Sequence, residues 1–217
     1  IRQFMGGAEF VRGTRRYCFW IEEEQLNDAV KISEIRERIN KVREHRNKSS
    51  RKATKELAST PYQFGEVRHQ NTDSIIVPAT TSERREYIPV GFLNSNTIIS
   101  NSALAVYNAQ PWLFTVITSR MHMVWVKAIG GKLETRYRYS AKICYNTFPF
   151  PDISTKQKET LNLYVFSILE ERAKYPGKTM AYLYNPDTMP KGLEKAHQEL
   201  DEAIEKCYRL KPFESDT

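Results

Sequence analysis

Lys132-Leu133-Glu134-Thr135-Arg136-Tyr137-Arg138-Tyr139-Ser140 reads as a strand, whose period-two alternation puts Glu134, Arg136, Arg138 and Ser140 on one face and Leu133, Thr135, Tyr137 and Tyr139 on the other. One face packs, and the other is free to meet a ligand. A carboxylate and two guanidiniums at two-residue spacing supply one acceptor and two fork-shaped donors, the groups that address base edges in a DNA major groove. A solvated strand face with a Glu and Arg ion pair is the competing reading.

On the N-terminal side, Gly130-Gly131 closes a helix expected over residues 111–129, started by Pro111 and carrying Phe114, Ile117, Met121, Val124 and Trp125 at helical spacing. On the other side, Asn146-Thr147-Phe148-Pro149-Phe150-Pro151 is a rigid exit, because two prolines in three residues exclude both helix and central strand. Beyond it, residues 154–175 and 192–210 carry helical stripes, Leu161, Val165 and Ile168 in the first and Leu193, Leu200 and Ile204 in the second. Upstream, strands are expected over residues 16–21, 74–80 and 86–92. A long helix is expected over 27–46, with Ile32, Ile35, Ile39 and Val42 along one side. The fold class is therefore α+β, with a mixed α/β domain over residues 1–150 and a small all-α region over 151–217.

Net charge is +7, and it is concentrated. Between Lys31 and Lys55 there are ten Lys or Arg against three Glu, so the rest of the chain is neutral. Such a block suits a polyanion or an acidic protein partner, and a solvated helix face explains it equally well. Cys18, Cys144 and Cys207 lie too far apart for metal-ligand spacing and suggest a reduced, cytoplasmic setting. The most apolar stretch, residues 112–129, carries Arg120, His122 and Lys127, which argues against a membrane span. The opening Ile1 is not Met, so the chain is expected to be cut from something longer.

The marks of catalysis are missing from the sequence. Gly6-Gly7 and Gly130-Gly131 are isolated pairs without the spacing of a phosphate cradle. His45, His69, His122 and His197 are scattered, and suit surface or helix-packing roles. Asp152 and Glu159 lack the Glu-x-Lys that a nuclease site requires, and helix-start acidity accounts for Asp152. A binding module is expected rather than an enzyme.

Several stretches together resemble one family. They are Phe4-Met5-Gly6-Gly7-Ala8-Glu9-Phe10 with Arg16-Tyr17-Cys18-Phe19-Trp20-Ile21, and Val77-Pro78 with Ser82-Glu83-Arg84-Arg85-Glu86-Tyr87-Ile88-Pro89. Further along come Ser119-Arg120-Met121-His122-Met123, Tyr137-Arg138-Tyr139-Ser140, residues 145–151, and Tyr184-Asn185-Pro186-Asp187-Thr188-Met189-Pro190. The chain resembles the C-terminal third of MmeI-like (type IIL) restriction-modification enzymes, over essentially its whole length. The resemblance implies a target-recognition domain and a helical C-terminal region. It also implies a parent chain with an N-terminal nuclease and a central adenine-N6 methyltransferase.

By that resemblance the base-reading positions include Glu134, Arg136, Arg138 and Ser102, and the partner is double-stranded DNA together with the parent's methyltransferase and nuclease domains, with no membrane. S-adenosylmethionine and Mg2+ are expected for the parent, and no cofactor for this segment. Neither the Asn-Pro-Pro-aromatic motif of the methyltransferase nor the nuclease's acidic motif occurs here, so no catalytic residue is assigned. Arg84, Arg85, Arg120, Lys127 and Lys132 are candidates for phosphate contacts. The runner-up function is a protein-interaction module using the basic helix 27–47.

Overall fold

The structure, a computed structural model, describes residues 1–216. Along the chain lie β1 Arg2–Met5, α1 Gly7–Arg12, β2 Tyr17–Cys18, α2 Leu26–Ala29, α3 Ser33–Asn47, α4 Lys52–Glu56, β3 Ser74–Pro78 and β4 Thr80–Thr81. They continue with β5 Gly91–Leu93, β6 Thr97–Ile99, β7 Ala103–Tyr107, α5 Pro111–Thr118, α6 Arg120–Ile129, β8 Gly131–Leu133, β9 Arg136–Arg138, α7 Thr155–Ala173, α8 Met180–Leu183 and α9 Lys191–Tyr208. The class is α+β with a helical C-terminal region. Two compact bodies form, Ile1–Gln3 with Tyr17–Gln70 and Phe4–Arg16 with Asn71–Thr217.

In the smaller body, Arg2 and Gln3 pair antiparallel with Cys18 and Tyr17. The helix expected over 27–46 is broken: α2 ends at Ala29, and the chain turns through Val30 and Lys31 to an extended Ile32 before α3. Ile32 is consequently exposed and off the stripe, which Ile35, the buried Ile39 and Val42 form without it. One turn further, Arg46 replaces an apolar residue on the same side. Its guanidinium donates to the carbonyls of Leu57 (2.7 Å), Thr60 (2.9 Å) and Gln63 (2.7 Å), satisfying backbone groups that would otherwise lack donors.

In the larger body β3 is the centre of a three-stranded antiparallel sheet, flanked by β5 and β7 and buried throughout. Of the strand expected over 86–92 only Gly91 and Phe92 pair, in a β5 that runs on to Leu93; Tyr87, Ile88 and Val90 are core residues in irregular chain broken by Pro89. The helix expected over 111–129 is two. Ser119 divides it, taking extended dihedrals and accepting from the His122 amide (3.2 Å) to cap α6.

The helices after Pro151 do not form a core of their own. α7 packs on α5 and α9, and Leu161, Val165, Ile168, Leu193, Leu200 and Ile204 join Ile75, Val77, Phe114, Ile117 and Met123 in one cluster. Burial on that scale, about 25 cal/mol per Å² of apolar surface, is what holds α5 and α6 in place.

Asp201 of α9 fixes the start of α6. Its Oδ1 accepts from the Arg120 amide and its Oδ2 from the Tyr87 hydroxyl, both at 2.8 Å. Burial raises its pKa to about 6, against the opposing pull of these hydrogen bonds. Because the folded pKa lies above the ordinary aspartate value near 3.8, the associated stability is full below pH 4 and declines as pH rises through 6. Asp201→Asn keeps both contacts, with Oδ1 accepting from Arg120 and the amide donating to Tyr87. Urea titrations of wild type and variant at pH 4 and pH 7 should show the variant gaining on wild type by roughly 2 kcal/mol across that interval. An equal pH dependence in the two proteins would remove Asp201 from the account.

Candidate nucleic-acid interface

The chain changes sheets at Ala79. β3 ends on Pro78, paired with Ala103, and β4 begins at Thr80, paired with Arg138 of a second antiparallel sheet ordered β4, β9, β8. Ala79 donates to the Ser102 carbonyl (3.1 Å) and accepts from the Tyr139 amide (2.9 Å), so the turn holding Ser102 and the strand holding Arg138 share one anchor. Two residues that are 36 positions apart in sequence are thereby fixed on either side of residues 79 and 80.

The nine-residue strand expected over 132–140 is a hairpin. Leu133 pairs with Arg136, leaving Glu134 and Thr135 as a two-residue turn. Glu134 takes φ 59°, the left-handed conformation that costs a non-glycine residue about 1–2 kcal/mol. The turn reverses the alternation ahead of it. Leu133 now stands on the same face as Arg136 and Arg138 and is exposed, while Glu134 sits at the apex rather than on a strand face. Tyr137 packs inward with the buried Thr81 that it pairs with, as expected.

Two devices hold the hairpin's base. Gly130 lies where an added Cβ would stand 2.4 Å from the Val126 carbonyl, so only glycine lets α6 run straight into β8. Tyr139 is buried, and its hydroxyl meets His122 Nε2 of α6 at 2.8 Å. Burial depresses the His122 pKa to about 3, leaving the ring neutral. The free end of the hairpin is solvent-facing: the side chains of Glu134 and Arg136 are 74% and 46% exposed, joined by an ion pair at 2.7 Å. An exposed pair of this kind is worth about 0–1 kcal/mol, so either partner can leave it for a ligand.

The other candidates divide into two groups. Arg138, Lys127 and Lys132 are exposed, Lys127 on the last turn of α6 and Lys132 at 5.8 Å from the Tyr137 ring. Ser102 is exposed as well, and its hydroxyl accepts from the Gly7 amide (3.2 Å). By contrast, Arg84 is bound to both oxygens of Asp187 (2.8 Å each) and Arg120 to those of Asp216 (3.2 and 3.1 Å). Arg85 is half-buried, which lowers its pKa, and it points at Thr81 Oγ1 (3.4 Å). Thr80 shares the outward face with Arg138, and no sequence signal singles it out, because the register of residue 80 on residue 138 is set by tertiary pairing alone.

Among the described residues, no group of three or more His, Cys, Asp or Glu is placed to hold a metal ion. No described helix is long and apolar enough to cross a membrane.

A family model described as "MmeI, target recognition domain" matches residues 1–152, and one described as "MmeI, C-terminal domain" matches residues 153–217. DNA methyltransferase A of Bacillus subtilis (strain 168) is 45% identical over 215 residues, covering 99% of this chain and 24% of that protein. A solved structure described as the type IIL restriction-modification enzyme MmeI in complex with DNA matches with TM-score 0.95 and 41% identity, over 99% of this chain and 29% of that one. The chain spans about a quarter of the length of the curated relative. The motifs quoted from the sequence, the two family models and the end-to-end structural match agree, and the chain belongs to the MmeI family, of which it comprises the target recognition domain and the C-terminal domain.

Proposed function

We propose that this chain selects the DNA sequence on which a larger restriction-modification enzyme acts. The observation that carries the reading is the outward face of β9, Arg136 and Arg138, with Glu134 at the adjoining turn ion-paired to Arg136 and Ser102 alongside, rigid at its base and free at its tip. Arg136 places its fork on guanine O6 and N7 while Glu134 accepts from cytosine N4, so the two read one C·G pair. Arg138 addresses a neighbouring pair. Lys127 and Lys132 bind phosphates alongside, setting register without carrying sequence. Arg84, Arg85 and Arg120 are weaker phosphate candidates, since two are held by carboxylates and the third is half-buried.

The proposed partners are duplex DNA and the methyltransferase and nuclease domains of the parent chain, adenine-N6 methylation and cleavage being the parent's proposed reactions in the cytoplasm. S-adenosylmethionine and Mg2+ belong to those domains, as this sequence offers neither the Asn-Pro-Pro-aromatic motif of the methyltransferase nor the nuclease's acidic motif. The helices after Pro151 brace the reading surface through the core they share with it.

The test is duplex binding by the complete enzyme across a salt series. Affinity is expected to favour the duplex carrying the target site and to fall with a log–log slope of about −0.9 for each phosphate neutralised. Binding indifferent to both salt and sequence would reject the reading in favour of an acidic protein docked on the basic side of α3.

A further inference from the structure

We infer that Thr80 is a specificity-determining residue, reading the edge of the base pair at or next to the one that Arg138 addresses. The inference rests on the reading proposed above and extends it to a position that neither composition nor motif marks.

Cross-strand partners project from the same face of a sheet, and Thr80, Arg138 and Gly131 form one such row across β4, β9 and β8. Gly131 contributes no side chain, and an added Cβ there would meet nothing within 4 Å. Arg138 therefore has Thr80 as its one side-chain neighbour in the row. The adjoining Thr81 is buried, which leaves Thr80 pointing outward by alternation. Its hydroxyl has no hydrogen-bond partner among the described residues, whereas Thr81 Oγ1 accepts from Arg85.

The spacing suits neighbouring letters of a duplex. Directly opposed residues in antiparallel strands lie about 4.5–5.5 Å apart at Cα, and successive base pairs rise by roughly 3.4 Å. Thr80 and Arg138 thus address the same pair or consecutive ones. Thr80 is also one residue from Ala79, whose amide holds the Ser102 carbonyl, so it fills the interval between Ser102 and Arg138. A threonine offers two readings there: its hydroxyl donates to or accepts from a base edge, and its methyl group contacts the 5-methyl of thymine.

The experiment uses the complete enzyme and maps its modified sites by sequencing for three forms, Thr80→Val, Thr80→Lys and the paired exchange Glu134→Lys with Arg136→Asp. Valine keeps the branched shape and strand preference while removing the hydroxyl. It is expected to lower discrimination at one base pair by roughly tenfold, the scale of one good base contact, with the other positions unchanged. Lysine is expected to move preference at that same pair toward guanine. If both Thr80 forms keep the wild-type motif, or lose activity evenly over all sequences, while the paired exchange alters the motif, Thr80 is not a reader. An unchanged motif in all three forms overturns the reading itself.

Discussion

Exchanging the charges of the hairpin tip, Glu134→Lys together with Arg136→Asp in the complete enzyme, is expected to replace the preferred base pair at one position of the target and leave the other positions as they are. The two side chains make one ion pair in the free protein, and the exchange keeps opposite charges at the two positions. Lysine at 134 bears the same left-handed strain as glutamate, so the turn itself is not the variable. What changes is the order of donor and acceptor presented to the groove. A guanine bound by the Arg136 fork and a cytosine amine bound by Glu134 each lose a contact worth about 1–3 kcal/mol. Against the original pair, two lost contacts compound. The variant's modified sites, read by single-molecule sequencing, check this directly, and a motif identical to the wild type at every position would rule out the hairpin as the reader.

Arg172→Ala should produce the largest loss of stability in the larger body, about 3–5 kcal/mol by urea denaturation. Arg172 is a buried cation on α7 that forms no ion pair with a carboxylate among the described residues. Its Nη1 donates to the Val90 carbonyl (2.8 Å), and both Nε (2.9 Å) and Nη2 donate to the Tyr184 hydroxyl. Guanidinium can only donate, so the Tyr184 proton goes to His197 Nε2 at 2.8 Å, which requires a neutral ring protonated on Nδ1. Burial, with the Arg172 charge, drives the His197 pKa well down in keeping with that. The guanidinium also lies 5.3 Å from the Phe114 ring and 4.9 Å from that of Tyr184.

Alanine leaves a cavity, an undonated Val90 carbonyl and a Tyr184 oxygen that keeps His197 but loses both of its donors. Arg172→Met refills the volume and should recover part of the loss, the remainder measuring the polar network. A loss below about 1 kcal/mol for the alanine variant would show that the network adds little. Native domains have only about 5–15 kcal/mol in hand. The alanine variant is therefore also expected to weaken DNA selection, because α7 supports the helices from which the hairpin projects.

That Arg136 and Arg138, the proposed readers, share one exposed face was legible in the sequence, for a reason that does not depend on where the strand begins. Arg136 and Arg138 remain two apart on one strand, so they share a face whether the strand begins at Lys132 or at Arg136. Leu133 and Glu134 did depend on that boundary. Neither Glu134 nor Thr135 is a residue type that announces a tight turn, and an uninterrupted alternation hid the reversal. The break at Ser119 had a signal, a serine three residues ahead of the amide it caps, submerged in an apolar run. The break near Ile32 had less, since its isoleucine continues the stripe on paper while standing exposed in the fold.

What the sequence determined by itself was the kind of matter available and its rough order: apolar stripes at helical spacing in α7 and α9, alternating runs where strands form, a concentrated basic block, and motifs long enough to place the chain in a family. Those are local properties, and local periodicity dictates which side of an element is buried. What only tertiary structure decided was adjacency. The pairing of residue 80 with residue 138, the shared anchor at Ala79 and the union of the helices after Pro151 with the core around β3 depend on which apolar faces find one another. Such choices between distant segments follow from the total surface buried and the backbone hydrogen bonds completed, which no window along the chain contains.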